Sequence, residues 1–321
     1  MWRVLFYLYF SFLLFPAFSQ SQMMFVDDSR LSRPFAKDPH VVNWKDYYLM
    51  YYSIPKGDID SGWGIGIAKS SDLMKWEKIG EVTPVAEYEN KGICAPCALV
   101  LGDSIHLFYQ TYGNGANDAI CHAISTDGIN FVRNQTNPIF RPTGDWNCGR
   151  AIDAEVICYN NSFLLYFATR DRSYKKQIMG VAQSYDSNFR RSSWRMVCDS
   201  AILYPTQEWE GKCVEGASVI IKNGRFYMFY AGSYNNAPQQ IGVAVSENGI
   251  VWRRLLETPF LANGSAGEWN SSESGHPHIF DDKRTGRSFL FFQGNNDNGR
   301  TWYISNIEAF WNGDGPYLPE N

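Results

Sequence analysis

Charge is scarce in this chain, and neither sign dominates. Asp, Glu, Lys and Arg make up 19% of the 321 residues, with a net charge of -4 and no basic surplus. A nucleic-acid partner, which calls for clustered Lys and Arg, is excluded on that ground. After the first two dozen residues no apolar run approaches the ~20 residues that a membrane span needs, so no membrane partner is expected. Helical periodicity is nearly absent. A second CxxC is missing beside Cys94-Ala-Pro-Cys97, which sits in a strand-like run outside any βαβ context, so neither a redox role nor a zinc site is expected there. The seven cysteines are an odd number, leaving at least one thiol unpaired if all the others bond.

Apolar residues, by contrast, reach 45%, enough for a sizeable core, and aromatics reach 16%. Flat rings pack well on pleated strands. Met1-Trp2-Arg3 is a short basic start, Val4 to Phe15 is apolar except for Ser11, and Ala17-Phe18-Ser19 places small residues where a signal peptidase reads. Residues 1–19 therefore read as an export signal and 20–321 as a single domain, secreted or periplasmic. Glycosylation sequons stand at Asn134, Asn160, Asn263 and Asn270.

Internal repetition carries the fold. An aromatic strand recurs at Tyr47–Tyr52, Ile105–Gln110, Phe163–Ala168, Phe226–Ala231 and Ser288–Gln293, at steps of 58 to 63 residues. A third strand follows most copies, as in Gly64–Ser70 and Ile241–Ser246, then a turn such as Asp127-Gly128 or Asn248-Gly249, a strong hairpin signal. A fourth short strand carries Trp76, Phe131, Trp194 or Trp252. Such a unit must stack on its neighbours to bury both faces. Radial repetition of four-stranded sheets is a propeller, so the chain is expected to be all-β, with five blades of four antiparallel strands. A β-sandwich would not produce a repeat of this length.

One further strand precedes each aromatic strand. Aligned, these strands place Asp38, Ala95, Asp153, Glu215 and His276 at one position, at steps of 57 to 62 residues. Equivalent positions on the first strands of a propeller surround its axis, so three carboxylates and a histidine should converge at one mouth of the channel. Crowded carboxylates resist ionising together, which destabilises a fold but suits acid–base catalysis. Glycoside hydrolysis uses such a pair. A single Asp at a strand start is more often a turn cap; three acids at one repeat position point to a working site.

Asp38-Pro39, Ala95-Pro96, Ile152-Asp153, Glu215-Gly216 and Gly275-His276 resemble the five blade-start motifs of glycoside hydrolase family 43, in the same order, across the chain from about Arg33 to Trp311. The resemblance implies that Asp38 is the general base, that Glu215 is the general acid, and that Asp153 raises the pKa of that acid. It places His276 in the channel, where it would face a metal ion or water. No cofactor is required; a structural calcium or other ion in the channel is in keeping with the resemblance. It also implies inversion, with base and acid about 6.5–9.5 Å apart. Cys94 stands in place of the family's usual tryptophan, and Ala154 in place of a common proline.

Around the column, propeller geometry brings Ser53, Thr111, Arg170, Ser233 and Asn295 to the rim. Arg170 is the residue expected to bind a sugar hydroxyl or pair with Asp153, and Trp63 is either a stacking platform beside Asp38 or packing. The recurring Tyr88, Trp146, Trp209 and Trp269 read as structural wedges. Below the column, His40, Cys97, Glu155, Ala217 and His278 form a second level, with His40, Glu155 and His278 as a polar layer for water or an ion. The expected partner is an oligo- or polysaccharide, cut from its end at arabinofuranosyl, xylosyl or galactosyl linkages. A non-catalytic carbohydrate-binding propeller and a glycoside phosphorylase are the alternatives.

Overall fold

In the computed structural model, which describes residues 22–57 and 62–319, every aromatic strand lies second in an antiparallel sheet, four-stranded in the first four cases and five-stranded in the last. The export signal expected over 1–19 lies outside the described residues. A two-residue strand β1 (Met24–Phe25) comes first. Blade 1 comprises β2 (Lys37–Trp44), β3 (Tyr47–Pro55), β4 (Trp63–Ser70) and β5 (Glu77–Val82). Blade 2 comprises β6 (Ile93–Leu101), β7 (Ser104–Thr111), β8 (Ile120–Ser125) and β9 (Val132–Arg133). Blade 3 comprises β10 (Ile152–Tyr159), β11 (Ser162–Arg170), β12 (Gln177–Ser184) and β13 (Arg195–Met196). Blade 4 comprises β14 (Val214–Lys222), β15 (Arg225–Gly232), β16 (Gln240–Ser246) and β17 (Arg253–Arg254). Blade 5 comprises β18 (Glu273–Asp281), β19 (Ser288–Asn295), β20 (Tyr303–Asn312) and β21 (Gly315–Tyr317).

The first strands touch in the order β2, β6, β10, β14, β18 and back to β2, which closes the ring. Its last sheet is completed from the other end of the chain. β1 pairs antiparallel with β20, so Met23 and Phe25 are buried in the core that joins blades 1 and 5. This closure was not foreseen, because a two-residue strand leaves no periodicity to read. Trp76, Phe131, Trp194 and Trp252 sit one residue ahead of the fourth strands rather than in them.

Packing between blades is apolar, with polar ties at fixed places. Tyr51 donates its hydroxyl to the Gly128 carbonyl at 2.9 Å, and Tyr166 does the same to Gly249 at 3.0 Å, so each stitches its blade to the turn of the next. Two fully buried glutamates act as clamps in alternate blades. Glu89 accepts from Tyr109 and Arg133, while Glu210 accepts from Tyr230 and Arg254. Each also accepts backbone N–H groups of its own turn, so every lone pair has a donor. The recurring tryptophans are structural as expected: Trp209 stacks on Tyr230 at 6.0 Å and Trp269 on Phe292 at 5.6 Å. All seven cysteines are free thiols.

Candidate active site

All five first strands carry the same irregularity. In β2 the pairing runs Lys37↔Ser53 and then His40↔Tyr51, three steps on one strand against two on its partner. That surplus residue is a β-bulge. Asp38, Ala95, Asp153 and His276 occupy it with φ of 50°, 47°, 52° and 41°. Left-handed backbone costs a non-glycine residue ~1–3 kcal/mol, and here it recurs even at Ala95, which offers no chemistry. The strain therefore belongs to the architecture of the ring, and the chemistry is mounted on it.

Blade 4 departs from the expected alignment. Glu215 still pairs, with Ala231, and the bulge begins one residue later at Gly216, with φ of 58°. Glu215 thus corresponds to Lys37, Cys94, Ile152 and Gly275, not to Asp38 and Asp153. A Cβ on Gly216 would lie 3.2 Å from His276 Nδ1, so glycine at the bulge leaves room for the imidazole. The shift also corrects the lower level, where Ser218 replaces Ala217 as the blade 4 member.

Both side chains nevertheless reach one cluster. His276 Nδ1 lies 3.2 Å from Asp38 Oδ1, and its Nε2 lies 3.5 Å from Glu215 Oε1. Asp153, Glu215 and His276 each bring one polar atom within 4.8 Å of the others. An imidazole therefore separates the two carboxyls proposed as base and acid. Burial alone would lower His276, but Asp38, Glu215 and Asp153 outweigh it and push it up to about 10. Burial, joined by the charges of Glu215 and Asp38, pushes Asp153 up to about 7 against the pull of His276. Its Oδ2 finds no hydrogen-bond partner among the described residues. Burial would likewise raise Glu215, yet the hydrogen bond and charge of His276, with the Gln239 amide, hold it below the ordinary range. The expected order is thus reversed in this arrangement: Asp153, not Glu215, is the carboxyl driven towards its protonated form. Two buried carboxylates this close titrate as a pair.

The sequence reading missed the residues that hold these groups in place. Glu215 accepts from the side-chain amide of Gln177 and, at 2.8 Å, from that of Gln239. Gly275 makes the second contact feasible, since a Cβ there would collide with Gln239 Oε1 at 1.9 Å. Asp38 N–H donates to Gln293 Oε1 at 2.9 Å, Asp153 N–H to Gln110 Oε1 at 2.7 Å, and Ala95 N–H to Ser53 Oγ at 2.8 Å. Each acceptor lies near the end of the second strand of the preceding blade, so blades 5, 1 and 2 each prop the next blade's bulge. Gln293 is itself fixed, donating to the buried Glu273 at 2.7 Å. The visible signal was a glutamine closing an apolar aromatic strand, at Gln110 and Gln293.

Below the bulge, His40 Nε2 lies 3.2 Å from Glu155 Oε2, and the His40 and His278 rings stack at 3.8 Å. Ser218 bridges His278 and Glu155 at 3.4 Å to each. The polar layer exists, and internal hydrogen bonds consume it. Asp38, Asp153, His40 and Glu155 line a central cavity of about 30 Å³, room for one water.

At the rim, Arg170 does not pair with Asp153. It donates to the Tyr174 carbonyl at 3.4 Å and covers the Tyr234 ring at 5.5 Å, while Arg150 is the arginine whose charge acts on Asp153, behind that of His276. Trp63, half-buried, meets Tyr112 at 6.0 Å and Phe35 at 5.5 Å, with Lys37 Nζ 5.7 Å from its ring.

Among the described residues two donor sets could hold an ion: Asp153, Glu215 and His276, and below them His40, Cys97 and Glu155. Calcium takes six to eight oxygens. His276 already turns both nitrogens to carboxylates and supplies the positive charge itself, and the lower set offers a thiol and an imidazole. Neither set fits calcium.

The family model for glycosyl hydrolases family 43 matches residues 31–316, and the chain belongs to that family. It is accordingly a glycosidase acting on O-glycosyl bonds. No curated protein matches it in sequence. Among solved structures, a thermostable family-43 glycoside hydrolase is similar with a TM-score of 0.71 at 19% identity, over 89% of this chain and 93% of that one. An endo-1,4-beta-xylanase from Bacteroides thetaiotaomicron gives 0.70 at 21%, over 89% and 94%. An alpha-L-arabinofuranosidase from Lactobacillus brevis gives 0.71 at 16%, over 89% and 95%.

Proposed function

We propose that this glycosidase is exported and inverts configuration, and that it releases arabinofuranosyl, xylosyl or galactosyl units from the ends of plant or algal polysaccharides, with Asp38 as base and Glu215 as acid. The observation that carries the reading is the placing of His276 between the two. Asp38 is the most exposed carboxylate of the cluster and borders a cavity with room for a water. It would take a proton from that water as the water oxygen bonds to the anomeric carbon. Glu215 would give its proton to the glycosidic oxygen as the carbon–oxygen bond breaks on the opposite face. Its proton has a local source: transfer across the 3.5 Å from His276 Nε2 leaves a neutral imidazole and a protonated acid. After turnover Asp38 gives its proton to solvent and the vacated Nε2 of His276 takes one up, restoring the imidazolium. Asp153, up to about 7, would hold a second proton and keep the pair from carrying two charges.

Trp63 and Arg170 are proposed as sugar contacts at the rim. The xylanase and arabinofuranosidase among similar structures support a pentoside as the first choice. Hydrolysis of aryl arabinofuranosides, xylosides and galactosides, followed by proton NMR of the first-formed anomer, tests the reading. A first-formed anomer of retained configuration would refute inversion. Turnover only in the presence of inorganic phosphate would favour the phosphorylase alternative.

A further inference from the structure

Away from the mouth, blades 2 and 3 are separated by a groove of about 600 Å³. Its floor is apolar, with Phe140 and Trp194 buried, and its walls carry Arg141, Arg191 and Arg195. These three guanidiniums hydrogen-bond only to backbone carbonyls: Arg141 to Ala116 and Gly149, Arg191 to Thr136, Asn137 and Pro138, Arg195 to Ser192 and Trp194. Among the described residues, none of the three comes within ion-pair distance of a carboxylate, although Arg133, Arg150 and Arg190 nearby each do. Carbonyl bonds fix a guanidinium in place without neutralising it, and each of the three keeps unused N–H donors.

The groove is joined to the mouth. A second cavity of about 290 Å³ shares Asn117 and Pro138 with it and adds Lys91 and Thr111. Lys91 Nζ donates to the Gly113 carbonyl at 3.3 Å and also lacks an acidic partner among the described residues. Between Thr111 and Gly113 stands Tyr112, which meets Trp63 edge-on at the rim. A track of four uncompensated cations thus runs from the rim along the junction of blades 2 and 3, in a chain whose net charge is -4. Such a local excess against the overall sign selects for an anionic ligand.

We propose that this track binds the anionic stretch of a polysaccharide, its carboxylate or sulfate ester groups meeting Arg141, Arg191, Arg195 and Lys91 while a chain end occupies the mouth. The proposal rests on the glycosidase reading only for the choice of polymer. Guanidinium forks suit both anions, with two parallel N–H bonds to each.

Native affinity electrophoresis of the mature chain tests it, with Asp38→Ala to prevent cleavage, in gels containing polygalacturonate, κ-carrageenan, neutral arabinan or polyglutamate. Retardation by polygalacturonate or carrageenan is expected, and whichever retards more assigns carboxylate or sulfate ester as the preferred group. Arg141→Gln and Arg195→Gln should each weaken it about two- to fivefold, the range of exposed ion pairs, and added salt should weaken it further. Arg191 is left in place because it ties three carbonyls of one turn. No retardation by either polysaccharide anion, retardation equal to that by polyglutamate, or unchanged binding by the arginine variants would overturn the proposal. With Asp38 intact, the same arginine variants should hydrolyse neutral aryl glycosides at the parent rate and keep its melting temperature. Absence of aryl-glycoside turnover would count against the glycosidase reading alone, since binding is read in a separate assay.

Discussion

The imidazole of His276 touches Asp38 through Nδ1 at 3.2 Å and faces Glu215 through Nε2 at 3.5 Å, so one ring joins the two carboxyls proposed as base and acid. It supplies the positive charge that lets acids from blades 1, 3 and 4 share a buried site. It also decides which carboxyl is driven to protonate. Several consequences can be measured.

Asp38→Ala and Glu215→Ala should each lower kcat on a matching aryl glycoside by about 10²–10⁴-fold, the usual share of a general acid or base. Circular dichroism should show an intact propeller in both. Activity within a few-fold of wild type in either variant would remove that residue from the chemistry.

Asp153→Asn should alter pH dependence in two ways. Its carboxyl is pushed up to about 7, so the wild-type kcat/KM should fall as pH rises through that value, and the variant should lose this limb along with most of its rate. In the variant, stability should change in the opposite sense to rate. A carboxyl whose folded pKa lies above its unfolded one favours folding below the unfolded value and loses that advantage as pH rises through about 7. The asparagine variant should therefore gain in urea midpoint relative to wild type at pH 8, with the gain shrinking towards pH 4.

Gln293→Ala withdraws the acceptor that holds Asp38 N–H and the donor that meets Glu273. Leaving those buried groups unpaired should cost about 1–3 kcal/mol in stability. If Gln293 positions the base, kcat should fall about tenfold while KM stays near the wild-type value. A purely structural role would lower the melting temperature and leave kcat alone.

Arg254→Ala breaks the buried clamp on Glu210, whose carboxyl has no contact with solvent, and should cost about 3–5 kcal/mol by urea denaturation. Arg287→Ala breaks an exposed pair with Glu308 and should cost at most about 1 kcal/mol. Equal losses would show that burial is not what gives the clamp its strength.

Phe25→Ala should destabilise by about 3–5 kcal/mol, since its ring is buried against Tyr52 at 4.9 Å in the strand that completes blade 5. A small effect on the urea midpoint would mean that the ring holds without its N-terminal strand.

Five blades could be read from the chain alone because each is one covalent stretch, and aromatic strands repeating every 58 to 63 residues cannot be buried except against one another. The acids could be found for the same reason, since Asp38, Asp153 and Glu215 lie near one repeat position. The place of Glu215 within that repeat could not. Whether the bulge falls on residue 215 or 216 is a matter of pairing with β15, and the His276 ring that packs against Gly216 arrives from the next blade. Gln177 and Gln239 were invisible as well, because each acts on Glu215 from 38 or 24 residues away. The same limit applied to charge. Counting acids along the chain predicts that one must hold a proton, and only burial together with the hydrogen bonds of one imidazole and one amide drives Asp153 rather than Glu215 towards it. Repetition is a property of the chain and survives unfolding. Register and electrostatics are properties of neighbours, and the chain acquires those only when the ring closes.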